Sequence, residues 1–430
     1  MSERFETWGK THRATPAAWA MPADEAEVAD VVRRAAAAGQ GVRVVGAGHS
    51  WSDCVVTDGV IVRLDRLDQL LQVDEQRGLA TAQAGMRLRA FNAALHARGY
   101  AISIVGSIDQ QSLGGLVATA THGSSLVHGN LSSFIVAMRI VTATGDVLVL
   151  DEGDPRLPAA RVSLGALGVV TQLTLRVERA FQVAEVSTPV TFDAGVQALA
   201  TMAGEHEWAK LWWLPHTDAA LLVRARRSDG PATFSPRHRA IDERVVNAHV
   251  FKWLLALGSA VPALIPMLNR VVAAAYFTAR TVVGRSDLVL SMAMPPVHRE
   301  SEWAVPAEHA ADVMRRLRAA IVAQGLRVNF IVEARYVKGD SNWMSPAYGR
   351  DTVQIGAYVG GSPDCDAYYA AIARIVAEHG GRPHWGKEAA FDAALIRRVL
   401  PMADAFAGLV REVDPDGVFR NPFVRRVIGE

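Results

Sequence analysis

The sequence predicts an α+β protein of two unlike units followed by a short closing segment. Three observations predict it. Up to about residue 178, short helices and strands alternate, and segments rich in glycine, serine and alanine recur between them. Beyond Arg179 the texture changes: charges, tryptophans and longer helices appear, and glycine-rich loops stop until the C-terminus. The strand-like and helix-like runs of this second stretch suggest a sheet backed by helices. The boundary is expected near 178–182.

The elements follow in order. Glu25 to Ala38 reads as a helix: Pro22 precedes it, acids fill its first turn, and Val28, Val31, Val32 and Ala35 recur at helical spacing. Gly39 and Gly41 end it, and an apolar strand begins at Val42. Gly59 to Leu64, Gln69 to Val73 and Leu79 to Ala84 read as strands separated by charged turns. Arg87 to Arg98 is a second helix stopped by Gly99. A charge-poor stretch, Ile102 to Ser125, leads to a hairpin of Ile135 to Val141 and Val147 to Leu150 around Thr144-Gly145-Asp146. An alternating strand ending at Val177 closes the unit. The second unit offers strands at Leu211 to Trp213, Ala220 to Arg224, Asn329 to Tyr336 and Thr352 to Tyr358. Its helices are Ala240 to Leu257, Ala307 to Gln324 and Cys365 to His379. A last helix, Met402 to Val413, precedes a turn-and-strand ending, Asp414 to Asn421.

Composition removes several classes of function. With 430 residues, half of them hydrophobic, the chain can bury large cores and make two or three domains. Its 45 basic and 44 acidic side chains give a formal charge of +1, which offers no electrostatic case for nucleic acid or an anionic surface. Cys54 and Cys365 make neither a disulfide framework nor a metal cluster and read as reduced thiols; no metal is expected. The first residues are polar, and the longest uncharged apolar stretch, Trp253 to Asn269, is short and carries Pro262 and Pro266. The expectation is a cytoplasmic protein without stable membrane insertion, a monomer or small homo-oligomer.

Chemistry concentrates at Val45-Gly46-Ala47-Gly48-His49-Ser50. Small residues directly after a strand let the backbone approach a phosphate or a flat ring, and their amides can form an anion-holding nest. His49 then stands against whatever the loop holds. A nicotinamide fingerprint is excluded, because Trp51 stands where a third glycine must pack and a short strand follows instead of a helix. Gly106-Ser107, Ser112-Leu113-Gly114-Gly115, Thr119-Ala120-Thr121-His122-Gly123 and Leu164 to Val170 are further close-approach segments. Each alone is a polar turn or a phosphate contact; together they suit an extended, flat, phosphate-bearing ligand. Glu333 and Arg335 alternate on one strand and share a face, as a buried ion pair or a site. His384-Trp385-Gly386-Lys387 lies in an irregular segment, either a surface turn or a functional loop.

Those segments, with Ser163 to Leu175, Arg382 to Lys387 and Asp414 to Asn421, resemble in order and spacing the aldonolactone and alditol oxidases. These are sugar-acting flavoproteins of the vanillyl-alcohol-oxidase (PCMH) type, and the resemblance covers nearly the whole chain. It implies a two-subdomain FAD-binding domain over 1–178, an α+β substrate cap with an antiparallel sheet over 179–389, and a segment 390–430 whose strand returns to the FAD domain. It also implies FAD as cofactor, bonded covalently through His49. Val45, Gly46, Ala47, Gly48, Ser50, Gly106, Ser107, Ser112, Gly115, Thr119, Ala120, Thr121, His122, Val169, Val170 and His384 match positions near FAD. Ala47 replaces a glycine of some relatives.

Glu333, Arg335 and Lys387 match polar residues around the substrate and the reacting flavin edge. The implied reaction moves a hydride from a CH–OH carbon of a sugar lactone or polyol to flavin N5. Lys387 or Glu333 would take the hydroxyl proton, with Arg335 stabilising the alkoxide. Gly106, where relatives carry a glycine or a bulkier oxygen gate, either leaves room for O2 as acceptor or serves the turn. The tryptophans leave a larger alcohol, such as a nucleoside or secondary metabolite, as an alternative, beside a dehydrogenase with another acceptor and a flavin-binding protein without turnover. Ala180 to Arg299 matches no motif and is expected to shape the substrate pocket.

Overall fold

The computed structural model describes residues 4–430. Its first part holds two small sheets. Ala18–Ala20, Val60–Arg63 and Val42–Val45 form a parallel sheet with Val60–Arg63 in the middle. Gly59 and Gly41 let two of its strands start in contact: a Cβ on Gly59 would lie 2.1 Å from the Gly41 carbonyl oxygen. An antiparallel sheet runs in the order Val147–Asp151, Ile135–Val141, Val169–Arg176, Leu79–Gln83, Leu70–Asp74. The helix Glu25–Ala37 starts at Asp24, whose carboxylate accepts from Glu27 N at 2.8 Å. It buries Val28, Ala29, Val32 and Ala35. Glu25 pairs with Arg139 of the antiparallel sheet at 2.6 Å. Within the charge-poor stretch lies a short helix the sequence reading did not anticipate, Leu113–Ala118. Its two glycines hide it from propensity, and Gly114 earns its place by packing 3.2 Å (Cβ position) from Ala84.

The second part is an eight-stranded antiparallel sheet. Its order is Arg280–Arg285, Gln182–Thr191, Ala219–Ser228, Trp208–Trp213, Val332–Val337, Thr352–Val359, Arg299–Pro306, Arg382–Pro383. Period-two alternation decides its two faces. Trp213, Val332, Ala334, Tyr336, Val353, Ile355 and Val305 pack under the helices Phe192–Ala198, Ala310–Ala323 and Cys365–Ala377. The residues between them turn to the first part of the molecule, so these central strands are buried on both sides.

A helical excursion, Pro236–Ala260 and Pro262–Tyr276, bends by 118°. The expected helix over Ala240 to Leu257 lies in it, partly as a π-helix, Asp242–Phe251. Leu255 and Leu268 are buried while Trp253 and Val271 face solvent. Among the described residues no single helix is long and apolar enough to cross a membrane.

The chain ends differently from the sequence reading. In place of a turn and strand there is a turn and a helix, Pro422–Ile428. The Val418-Phe419 pair looked like strand, but Asn421 caps a helix by accepting from Val424 N at 3.0 Å, and Pro422 fits its first turn. The return to the first part is made without a strand. Val42 N donates to Val418 O at 2.7 Å, and Asn421 Nδ2 donates to the carbonyls of Cys54 and Val56 at 3.2 and 2.9 Å. Cys54 and Cys365 are both buried free thiols.

Candidate active site

A long groove follows the small-residue segments. It encloses about 1200 Å³, space open to solvent included. The strand Val42–Val45 delivers the loop Gly46–Ser50 into it, and Gly48 turns there with φ +67°. A Cβ on Gly46 would sit 2.1 Å from Ser112 Oγ, so the two segments close on each other only because one lacks a side chain. Ala120 and Leu164, at φ +56° and +55°, hold left-handed conformations that are uncommon without glycine. Beneath the groove, the Arg43 guanidinium donates to the carbonyls of Cys54, Leu164, Gly165 and Phe419 at 2.6–3.1 Å. Burial pushes Arg43 down to about 10, yet it stays charged at neutral pH and ties the glycine loop's strand to the 163–168 turn. Nothing local in the sequence marks Arg43 for this.

Of the expected cofactor residues, Val45, Gly46, Ala47, Gly48, His49, Ser50, Ser112, Gly115, Thr119, Thr121, Val170 and His384 line the groove, together with Lys387. Gly106, Ala120 and Val169 line neither this groove nor the neighbouring cavity. Ala120 and Val169 belong to hydrophobic cores. A Cβ on Gly106 would meet the Thr121 methyl at 2.9 Å, so close packing accounts for that glycine. The groove's bare backbone, its length and its flat run suit FAD. His49 ends it with a buried Nδ1 that has no hydrogen bond, and burial followed by the charges of Lys387 and Arg87 lowers its pKa to about 4. A neutral imidazole with a free nitrogen is what bonding to a flavin requires.

The groove opens at Thr121, His384 and Lys387 into a second cavity of about 770 Å³, walled by the inner face of the large sheet. Ser107, His122, Glu333 and Arg335 line it. Strand register puts its charges in rows: Glu302 and Glu333 both lie opposite Gly356, where the Tyr358 ring takes the space a side chain would fill. Arg335 donates to Ser107 Oγ and to Glu302 Oε1, both at 2.6 Å, and its Nε lies 3.3 Å from Glu333 Oε2. Glu333 accepts from Trp212 Nε1 at 2.7 Å and from the Tyr358 hydroxyl at 2.8 Å. Lys387 is ion-paired to Glu300 and lies over the Trp51 ring.

Burial raises all three carboxyls, but the cations win. Arg335 and His122 hold Glu302 well below the usual carboxylate range, Arg335 and Lys210 lower Glu333, and Lys387 lowers Glu300. His384 takes a hydrogen bond from Gly386 N on Nδ1 at 3.1 Å, and burial drives it down to about 3. Several polar atoms remain without a hydrogen bond here: His122 Nε2, His298 Nε2, Glu300 Oε1 and Glu302 Oε2. Buried orphan atoms clustered in one cavity mark a place for a polar ligand.

His298, Glu300, Glu302, Tyr358 and Trp212 escaped the sequence reading. A signal existed for two of them: Glu300 and Glu302 alternate in an apolar run, Trp303-Ala304-Val305 following, just as Glu333 and Arg335 do.

The groove and the charged sheet face together define an FAD-dependent oxidoreductase acting on CH–OH donors, with a two-part PCMH-type fold. Comparison with known proteins agrees. Residues 16–151 match the FAD binding domain family, and residues 173–427 match the D-arabinono-1,4-lactone oxidase family. The chain is 35% identical over 430 residues to an L-gulono-1,4-lactone dehydrogenase of Mycobacterium tuberculosis, covering 100% of both. It is 31% identical to the L-gulonolactone oxidase of Scyliorhinus torazame, covering 99% of this chain and 98% of that one. Cholesterol oxidase from B. sterolicum superposes with a TM-score of 0.84 at 17% identity, covering 100% of this chain and 97% of that one, which shows the fold. The chain belongs to the D-arabinono-1,4-lactone oxidase family.

Proposed function

We propose that the protein oxidises a CH–OH group of an aldono-1,4-lactone, with polyols as second substrates and O2 as acceptor. The observation that carries this reading is the paired arrangement of a small-residue groove and a cavity of fixed charges, joined at His384 and Lys387. Bound in the groove, FAD supplies the hydride acceptor; the protein supplies position and charge.

The residues divide the work. Gly46–Ser50, Ser112, Thr119, Thr121 and Val170 would hold the cofactor, and His49 would bond it covalently. Arg335 and Lys387 face the substrate oxygen and stabilise negative charge as its proton leaves. Glu333 aims Arg335: both of its oxygens already accept hydrogen bonds from Trp212 and Tyr358, so it is a positioning group. A ring lactone with several hydroxyls matches the unpaired oxygens of Glu300 and Glu302, which accept, and the Arg335 and Lys387 cations, which donate.

The oxidase relatives support O2 as acceptor. A dehydrogenase using another acceptor is the second reading, favoured by the M. tuberculosis relative's name and by the Thr121 methyl that fills the space beside Gly106. The test is anaerobic mixing of the holoprotein with L-gulono-1,4-lactone, D-arabinono-1,4-lactone, alditols and nucleosides. Bleaching of the flavin by a lactone, then recovery of colour in air with H2O2 formed, is expected. Bleaching by nucleosides alone contradicts the substrate class, and failure to recover in air contradicts the acceptor. His49→Ala should release its flavin into the acid supernatant while the wild type keeps it on the chain; release from both contradicts the covalent bond.

A further inference from the structure

His298 precedes the strand Arg299–Pro306, in the stretch where the sequence offers no motif. It is 4% exposed and lines the charged cavity. Its Nδ1 lies 2.8 Å from the Pro296 carbonyl oxygen. A carbonyl only accepts, so Nδ1 carries the proton and Nε2 carries a lone pair. That Nε2 is buried and has no hydrogen bond. The rings of Trp8, Trp51, Phe330 and Tyr358 surround the imidazole at centroid distances of 5.2–5.5 Å and hold its orientation. Glu300 Oε2 lies 3.9 Å from Nε2, too far for a hydrogen bond.

Glu300 and Glu302 each keep a free oxygen, but Lys387 and Arg335 hold them below their ordinary range, which makes them weak bases, and the remaining bases of the cavity are engaged. Both Glu333 oxygens already accept, from Trp212 and Tyr358, and Arg335 lies beside them. Lys387 is engaged in its ion pair with Glu300. His384 accepts from Gly386 N with its one lone pair. His122 has the same tautomer as His298, through Gly123 O at 2.9 Å, but its Nε2 is aimed at Glu302 Oε1, 3.4 Å away, inside the Arg335 pair.

We propose that His298 Nε2 is the acceptor of the substrate's hydroxyl proton, with Glu300 stabilising the imidazolium. The proposal rests on reading the cavity as the site of CH–OH oxidation. In the step, the O–H bond breaks and its proton forms the Nε2–H bond. FAD held in the groove would supply the two-electron oxidant, taking the C–H hydrogen with its electron pair as the carbinol becomes a carbonyl. Nδ1–H stays on Pro296 O throughout. The charged and titratable groups around the ring are Glu300 and Glu302 on the adjoining strand, Tyr358, Glu333 and Arg335 on the neighbouring strands, His384 and Lys387 on the 384–387 loop, His122 on the 119–123 segment and His49 on the glycine loop.

The experiment compares wild type, His298→Asn and His298→Ala, each loaded with FAD and mixed anaerobically with L-gulono-1,4-lactone across pH 5–9. Asparagine keeps the donation to Pro296 O and removes the base. The limiting reduction rate should fall by about 10²–10⁴-fold in both variants, with lactone affinity changed little. The wild-type fall in rate toward low pH should vanish in His298→Asn, and added imidazole should restore rate to His298→Ala. ¹⁵N-histidine spectra of the wild type should contain an unprotonated Nε2 signal that His298→Asn lacks. Wild-type rates and pH profile in His298→Asn, or a protonated Nε2 at neutral pH, would overturn the proposal while leaving the site reading intact. A wild type that no lactone or alditol reduces would overturn the site reading and this proposal with it.

Discussion

The groove and the sheet face are built on opposite logic. The groove works through absent side chains: Gly46 against Ser112, Gly114 against Ala84, and left-handed turns at Gly48, Gly165 and Gly168. Its geometry is made by backbone, so each segment announces itself over four or five consecutive residues. The sheet face works through present charges, and none of them is meaningful alone. Glu302 and Glu333 meet only because strand order and register bring residues 31 positions apart to the same Gly356. Arg335 is held between them, and Lys387 arrives from a loop 87 residues beyond its partner Glu300. A cradle can be written locally, whereas an electrostatic site is written in topology.

Perturbing one side should therefore leave the other standing. A large effect is expected where the groove meets the sheet face: Lys387→Met removes the cation of Glu300 and should slow anaerobic flavin reduction by about 10²-fold, as loss of one charged donor does elsewhere. Flavin content, read from the visible spectrum, should stay near that of the wild type. Equal rates for the two proteins would remove Lys387 from the reaction.

Asn421→Ala sharpens the comparison from the far end of the chain. It deletes a helix cap and the bonds to Cys54 O and Val56 O beneath the groove. Urea denaturation should show a loss of about 2–3 kcal/mol. A change below half a kilocalorie would mean that the C-terminal helix does not brace the groove.

Next in size is a pH effect. His384 is buried and neutral, lowered by burial from 6.5 to about 3. A folded value below the unfolded one gives stability that is complete above pH 6.5 and is lost as pH falls toward 3. The carboxyls Glu302 and Glu333 are lowered too, so their contribution disappears only below the ordinary carboxylate range, near about 4.3. Melting temperature should decline from about pH 6.5 downward in the wild type. In His384→Asn the decline below pH 6.5 should be shallower, the remainder coming from His49, which burial also lowers, to about 4; the same slope in both proteins would place the sensitivity elsewhere. Smallest of all, Arg13→Ala breaks an exposed pair with Glu6 and should change stability by less than about 1 kcal/mol by the same denaturation assay.

How much of this was legible follows from the same contrast. The glycine loop, Thr119 to His122 and the Leu164 to Val170 turn could be singled out from composition alone. The helix Glu25–Ala37 and the strands of the first part sit within a residue or two of their expected bounds, because caps and periodicity are local signals. Glu333 and Arg335 were visible as an alternating pair, but the choice between structural pair and site needed the partners that register supplies. Arg43 and His298 were out of reach, since one is defined by four carbonyls from distant turns and the other by a tautomer set by Pro296. The C-terminal helix was missed for a smaller reason: an Asn-Pro start outweighs two apolar residues before it.

The most direct test sets Gly46→Val beside Arg335→Ala and measures, for each, flavin bound per chain and the rate at which L-gulono-1,4-lactone bleaches it without air. The expected result is a double dissociation. Gly46→Val, its side chain driven into Ser112, should carry little flavin, and Arg335→Ala should be fully yellow yet reduced orders of magnitude more slowly. Full flavin in Gly46→Val together with normal bleaching of Arg335→Ala would contradict the division of the molecule into a cofactor groove and a reacting sheet face.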